Sequence, residues 1–167
     1  PQEVIDKTLT FREHFGDYQR QLFLMDHAGL PLKTVLEQLD LLGEHVIPVL
    51  RTYPSIKIWV AGCSTGEEPY SLAILLREED LLERTILYAT DINHASLDKA
   101  RAGIFNLDHM QAFTRNYQKA GGTKSFSDYY TAAYGGALFD KSLRDNITFA
   151  DHSLATDAVF SETQLVS

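Results

Sequence analysis

With 167 residues, 44% of them hydrophobic and 23% charged, the chain has enough length and apolar content for one sizeable core, so a single domain is the default reading. A formal net charge of -8 and an isoelectric point of about 5.1 argue against a nucleic-acid partner, because such binding draws its affinity from Lys and Arg neutralising phosphates. No apolar run approaches the roughly 20 residues of a membrane helix and the start of the chain lacks the order of a signal peptide, so a cytoplasmic protein without membrane insertion is expected.

The first elements are helical. Phe11 to Phe23 mixes aromatics with charges and reads as a short helix plus loop, and Pro31 then opens a clear helix. Leu32, Val35, Leu36, Leu39 and Leu42 follow the three-and-four spacing of one buried face, and Gly43 interrupts it ahead of Val46, Ile47 and Leu50. His14, His27 and His45 are spaced too irregularly for a metal site, and Lys33, Arg51 and Lys57 are scattered without an assignable role.

The stretch from Ile56 to Leu76 is the most informative. Ile56, Ile58 and Val60 have β-branched strand character, Gly62 and Gly66 permit backbone shapes closed to other residues, and Pro69 suits a helix first turn whose N–H groups are unpaired anyway. Strand, small-residue turn and helix, the last expected over Tyr70 to about Glu79, make a cradle in which a ligand can approach bare backbone. The single Cys63 has no disulfide partner and no metal-ligand company, which leaves it as a small residue beside that ligand.

Ile86 to Ile92 is a second strand-like run, with Asp91 at its carboxyl end. An acid one βα unit after a glycine turn grips ribose hydroxyls; an Asp just ahead of the helical pattern Ala95 to Ala102 also serves as an N-cap. The turn Gly62-Cys63-Ser64-Thr65-Gly66 lacks the regular Gly-x-Gly-x-x-Gly of nicotinamide dehydrogenases. Met110 to Phe149 breaks the alternation: glycine pairs at 121–122 and 135–136 and the aromatics Phe126, Tyr129, Tyr130, Tyr134 and Phe139 indicate a small antiparallel insertion, with strands near 126–132 and 137–141. Those aromatics read first as packing between the insertion and the main domain.

Ala61 to Ala73, Thr90-Asp91-Ile92 and Lys99 to Phe105 together resemble the CheR family, the chemotaxis-receptor glutamate O-methyltransferases that use S-adenosylmethionine. Thr8 to Glu13 is similar to that family's Thr-x-Phe-Phe-Arg segment, with Thr10 in place of the first Phe, and Phe149 to Asp157 is similar to its His-Asn-Leu stretch, with Ser153 in place of Asn.

The resemblance implies a Rossmann-like α/β methyltransferase domain, a mostly parallel sheet flanked by helices with a small antiparallel β insertion. It divides the chain into a helical lead-in at 1–54, a cofactor-binding core at 55–109 and 142–167, and a β-subdomain at 110–141. It implies a fragment, since the chain opens almost at the Thr-x-Phe-Phe-Arg segment and stops just before the family's Cys-Arg-Asn and Ile-Tyr-Phe motifs; the last strands of the sheet would then be missing and the chain alone would turn over poorly. Cofactor contacts are expected at Thr8, Arg12, Ala61, Gly62, Ser64, Gly66, Glu68, Asp91, Ile92, Ser153 and Leu154. Glu68 would take the α-ammonium group in preference to Glu67, although acids in a helix first turn also interact favourably with the dipole without any ligand. Arg12 would be the catalytic residue, over the cofactor's or the substrate's carboxylate. The implied partners are the cytoplasmic helices of chemoreceptors, with a receptor C-terminal tether peptide at the 110–141 insertion. The alternative is a catalytically degenerate cofactor-binding sensor or receptor-binding module.

Overall fold

The computed structural model describes residues 42–154, 156–157 and 162–167. The leucine stripe before Leu42 and the segment from Phe11 to Phe23 lie outside the described residues. Around the interruption at Gly43 the chain forms a wide π-turn, Leu42–Val46, which runs into the short helix α1, Ile47–Leu50. Ile47 and Leu50 are buried there, as the apolar spacing requires.

Strand β1 is Ile56–Ala61, and its buried residues Ile56, Ile58 and Val60 alternate with half-buried Lys57, Trp59 and Ala61. Helix α2, Glu67–Glu78, starts three residues before Tyr70. The reason is Gly66, whose φ of +100° turns the chain sharply enough for Glu67 to enter the helix directly, with Pro69 in the first turn where no donor is lost. Strand β2, Thr85–Asp91, lies parallel to β1 with Ile58 opposite Leu87 and Ala61 opposite Thr90. Helix α3, His94–Ala102, ends at Gly103 in the left-handed conformation. Its N-cap is Asn93, whose side chain accepts from Ala95 N at 3.0 Å and Ser96 N at 3.2 Å, so Asp91 is not the cap of this helix.

The insertion differs from a simple hairpin. It begins with β3, Ile104–Asn106, ahead of the 110–141 bounds expected for it, and continues into α4, Leu107–Lys119, a helix not expected from the sequence; Asn106 caps this helix by accepting from Asp108 N at 3.0 Å. A 3-10 turn over Phe126–Tyr129 occupies most of the first strand expected near 126–132, and β4, Tyr130–Ala133, follows it. A two-residue turn then reverses the chain into β5, Gly136–Phe139, with Tyr134 at φ +49° and Gly135 at φ +79°. The three strands form a separate antiparallel sheet in the order β3-β5-β4.

The short helix α5, Lys141–Arg144, returns the chain to the main sheet through β6, Ile147–Asp151. The last strand is β7, Leu165–Val166. All pairings are parallel and the order is β6-β2-β1-β7. This is the expected α/β fold: a parallel sheet flanked by helices, with a small antiparallel sheet inserted.

One aromatic group joins the two sheets. Tyr70 of α2 is fully buried, donates to Ala100 O at 3.0 Å, and meets Phe105 and Phe139 at ring distances of 5.5 and 5.4 Å. Phe126, Tyr129 and Phe139 are buried as well and Tyr130 is partly buried against them, so these four aromatics pack the insertion onto the main domain; Tyr134, expected among them, is fully exposed because it sits at the tip of the β4–β5 turn. Burial of each such side chain contributes roughly 1.5–3 kcal/mol.

Candidate cofactor site

The site is built at the carboxyl ends of β1 and β2. Gly62 N and Cys63 N both donate to Thr90 O, at 2.7 and 2.8 Å, which pins the turn after β1 onto the end of β2. Closing the turn requires positive φ at Gly62 (+84°), Ser64 (+47°) and Gly66 (+100°). The two glycines serve different ends. A Cβ on Gly66 would lie 2.9 Å from Ala100 Cβ, so this glycine lets α2 approach α3, whereas a Cβ on Gly62 would meet nothing within 4 Å. Gly62 therefore presents bare backbone to open space.

Asp91 lies across the crease from the turn. Its Oδ2 accepts from Ser64 N at 2.8 Å and its Oδ1 from Asn93 N at 2.9 Å. One main-chain donor on each oxygen fixes the plane of the carboxylate and leaves further lone pairs for a diol. The side chain is half-buried, and Thr90 beneath it is held by Trp59 Nε1 donating to its Oγ1 at 2.9 Å.

The two glutamates of the first turn of α2 part company. Glu67 is exposed and receives Thr65 Oγ1 at 2.7 Å, whereas Glu68 is half-buried and accepts from the hydroxyl of Ser167, just after β7. Cys63 is 3% exposed, and its thiol pKa is pushed up to about 11, by burial first and then by the negative charge of Asp91. A thiol so protonated is a small apolar filler, not a nucleophile.

Of the residues singled out in the sequence, Ala61, Gly62, Ser64, Gly66, Glu68 and Asp91 converge on this crease. Ile92 follows Asp91 and is 71% exposed. Ser153 and Leu154 come to the same end of the sheet through β6, where Asp151 is level with Asp91 and His152 N donates to Asp91 O at 3.3 Å. Leu154 is 65% exposed, while Ser153 N is held by Asp157 Oδ2 at 2.8 Å. Neither touches the glycine turn through a hydrogen bond among the described residues. Thr8 and Arg12 lie outside the described residues. Two participants had no place in the sequence reading. Asn93 was detectable as an Asx residue immediately before a helix, but Ser167 is 99 positions from Glu68 and carried no local signal.

Residues 35–167 match the family described as CheR methyltransferase, SAM binding domain. The chain belongs to the CheR family. It is 60% identical over 147 residues to Cher3 of Pseudomonas putida, named for a methyltransferase activity that its own name leaves provisional; the match covers 86% of this chain and 54% of that protein. It is 27% identical over 164 residues to the chemotaxis protein methyltransferase of Listeria innocua, covering 92% of this chain and 59% of the relative. With the chemotaxis protein methyltransferase of Borreliella burgdorferi the identity is 36% over 113 residues, covering 65% and 36%. The chain thus spans little more than half the length of the first two of these relatives.

The CheR assignment makes S-adenosylmethionine the cofactor, and the crease fits it. A bare glycine backbone beside open space accommodates a flexible thioether chain, and two half-buried carboxylates offer acceptors for a cationic group and for a diol. Among the described residues, no helix is long and apolar enough to cross a membrane.

Proposed function

We propose that the protein to which this chain belongs methylates glutamate side chains of chemotaxis receptors, in the cytoplasm, through the crease between β1 and β2. The observation that carries the reading is the convergence of Gly62, Glu68 and Asp91 at the carboxyl ends of two neighbouring parallel strands, where ligands of open α/β sheets bind. Asp91 receives the ribose hydroxyls on the lone pairs that Ser64 and Asn93 leave unused. Glu68 receives the α-ammonium group, Gly62 passes beneath the methionine chain, Gly66 serves the site by shaping the turn, and Ala61, Ser64, Ile92, Ser153 and Leu154 complete the pocket. The family resemblance assigns cofactor binding to Thr8 and Arg12 as well, with the guanidinium of Arg12 suited to fork onto a carboxylate of cofactor or substrate.

The cofactor supplies a methyl group made electrophilic by a sulfonium charge. A substrate glutamate is already ionised at neutral pH, so its oxygen forms the new bond to the methyl carbon while the carbon–sulfur bond breaks and its electron pair returns to sulfur. No proton moves, and no general base is needed. The work of the protein is alignment and exclusion of water. The separate fates of Glu67 and Glu68 support this division, since Thr65 occupies the first and the second faces the interior.

The small sheet carries the second part of the reading. Among the described residues β4 pairs with β5 alone, and Thr131, Ala132 and Ala133 are exposed, so its outer edge suits an added strand such as a receptor tail peptide. The test is transfer of radiolabelled methyl groups by the whole protein to receptor cytoplasmic fragments with and without that tail. Base-labile label on glutamates is expected, reduced when the tail is removed. Cofactor binding without any label would instead identify a sensor module.

A further inference from the structure

The chain end of β7 reaches into the cofactor crease through one side chain. Ser167 is 8% exposed and continues the β1–β7 ladder, its N donating to Trp59 O and its O accepting from Ala61 N, each at 2.8 Å. Gln164 secures the other end of β7, its N donating to Lys57 O at 2.8 Å and its Oε1 accepting from Lys57 N at 2.7 Å. With its backbone fixed at both flanks, Ser167 directs its hydroxyl at Glu68 Oε1. Among the described residues it is the one donor to that carboxylate.

We infer that Ser167 is a positioning residue for S-adenosylmethionine, acting through Glu68. This rests on the reading of Glu68 as the acceptor for the α-ammonium group. A glutamate in the first turn of a helix has several rotamers of similar energy, and a buried hydroxyl on one oxygen selects the rotamer that holds the other toward the ligand. The position discriminates by ligand chemistry: only molecules carrying the amino-acid group of the cofactor should sense it.

The test uses calorimetry with two probes, S-adenosylhomocysteine, which has the α-ammonium group, and 5′-methylthioadenosine, which lacks it. In the whole protein, Ser167→Ala is expected to weaken S-adenosylhomocysteine roughly tenfold and leave 5′-methylthioadenosine unchanged, while Ser167→Thr, which keeps a hydroxyl, retains most of the affinity. Glu68→Gln should show the same probe selectivity, and adding Ser167→Ala to it should cost little more. The 5′-methylthioadenosine affinity also reports that the pocket has folded. If Ser167→Ala binds both probes as the wild type does, or loses both alike, the inference is overturned, the second outcome marking a purely structural residue. If Glu68→Gln itself binds S-adenosylhomocysteine normally, the reading of Glu68 fails and takes this inference with it; if Glu68→Gln weakens binding and Ser167→Ala does not, the inference alone fails.

Discussion

Tyr129 donates its phenolic proton to Glu78 Oε1 at 2.7 Å, fastening the 3-10 turn of the inserted sheet to the last turn of α2. Tyr117 of α4 donates to the same oxygen, and its own hydroxyl oxygen accepts from Lys124 N at 2.9 Å. One acid therefore gathers two tyrosines from separate parts of the insertion.

Burial works to raise the pKa of Glu78, but hydrogen bonding, led by Tyr117 and Tyr129, outweighs it, and the net shift is downward. A carboxylate with a depressed pKa in the folded state contributes stability that is complete above its unfolded value of about 4.3 and is lost as the pH falls through the folded value. Glu78→Gln should destabilise the protein by about 1–2 kcal/mol at pH 7 in urea unfolding, and the gap from wild type should close progressively below about pH 4. A gap independent of pH would mean that the charge of Glu78 does not matter.

The two turn glycines should separate stability from binding. Gly66→Ala brings a methyl group against Ala100 and places a Cβ at φ +100°, so a loss of about 2–3 kcal/mol in thermal or urea unfolding is expected. Gly62→Ala meets no protein atom and should cost only about 1 kcal/mol of backbone strain, yet its methyl group projects into the space assigned to the ligand. Its affinity for S-adenosylhomocysteine should fall at least tenfold. Equal effects of the two substitutions on binding would contradict the division.

How much could be read in the sequence depended on whether the relevant physics was local. The β-branched run before Gly62, the glycine turn and Asp91 announce themselves within a few positions, because a strand end and a tight turn restrict residue type on the spot. Helix α4 is not among the expected elements although Met110, Phe113 and Tyr117 are spaced to share a face; the glycine pairs and aromatics after it point to strands near 126–132 and 137–141 and carry no signal for the helix before them. Asp91 had two readings until Asn93, two residues nearer the helix, proved to be the cap. Contacts such as Ser167 with Glu68, or Tyr129 with Glu78, join residues 99 and 51 positions apart and exist only once the sheets are assembled.

Cys63 should be chemically silent. Burial, reinforced by the negative charge of Asp91, pushes its thiol to about 11, so the thiolate fraction at pH 8 is about a thousandth. Labelling by a disulfide reagent at pH 8 should be at least 100-fold slower in the folded protein than after denaturation, with one thiol released on unfolding. Rapid labelling of the native protein would show the turn to be more open than its hydrogen bonds indicate.

Variants at Asp91 and Asn93 separate ribose binding from helix capping. Its carboxylate accepts one main-chain donor on each oxygen, from Ser64 and Asn93, and the helix cap lies with Asn93. Asp91→Ala removes a charged acceptor for the ribose hydroxyls and a fastening of the turn, and should weaken S-adenosylhomocysteine binding by about 2–3 kcal/mol. Asn93→Ala removes the cap of α3 and should cost about 1 kcal/mol of stability while leaving affinity nearly unchanged. Calorimetry and urea unfolding on both variants check the pair. Should Asp91→Ala lower stability as a lost cap does and leave binding intact, the carboxylate would be a structural clasp between turn and strand, and the ribose would have to be held elsewhere.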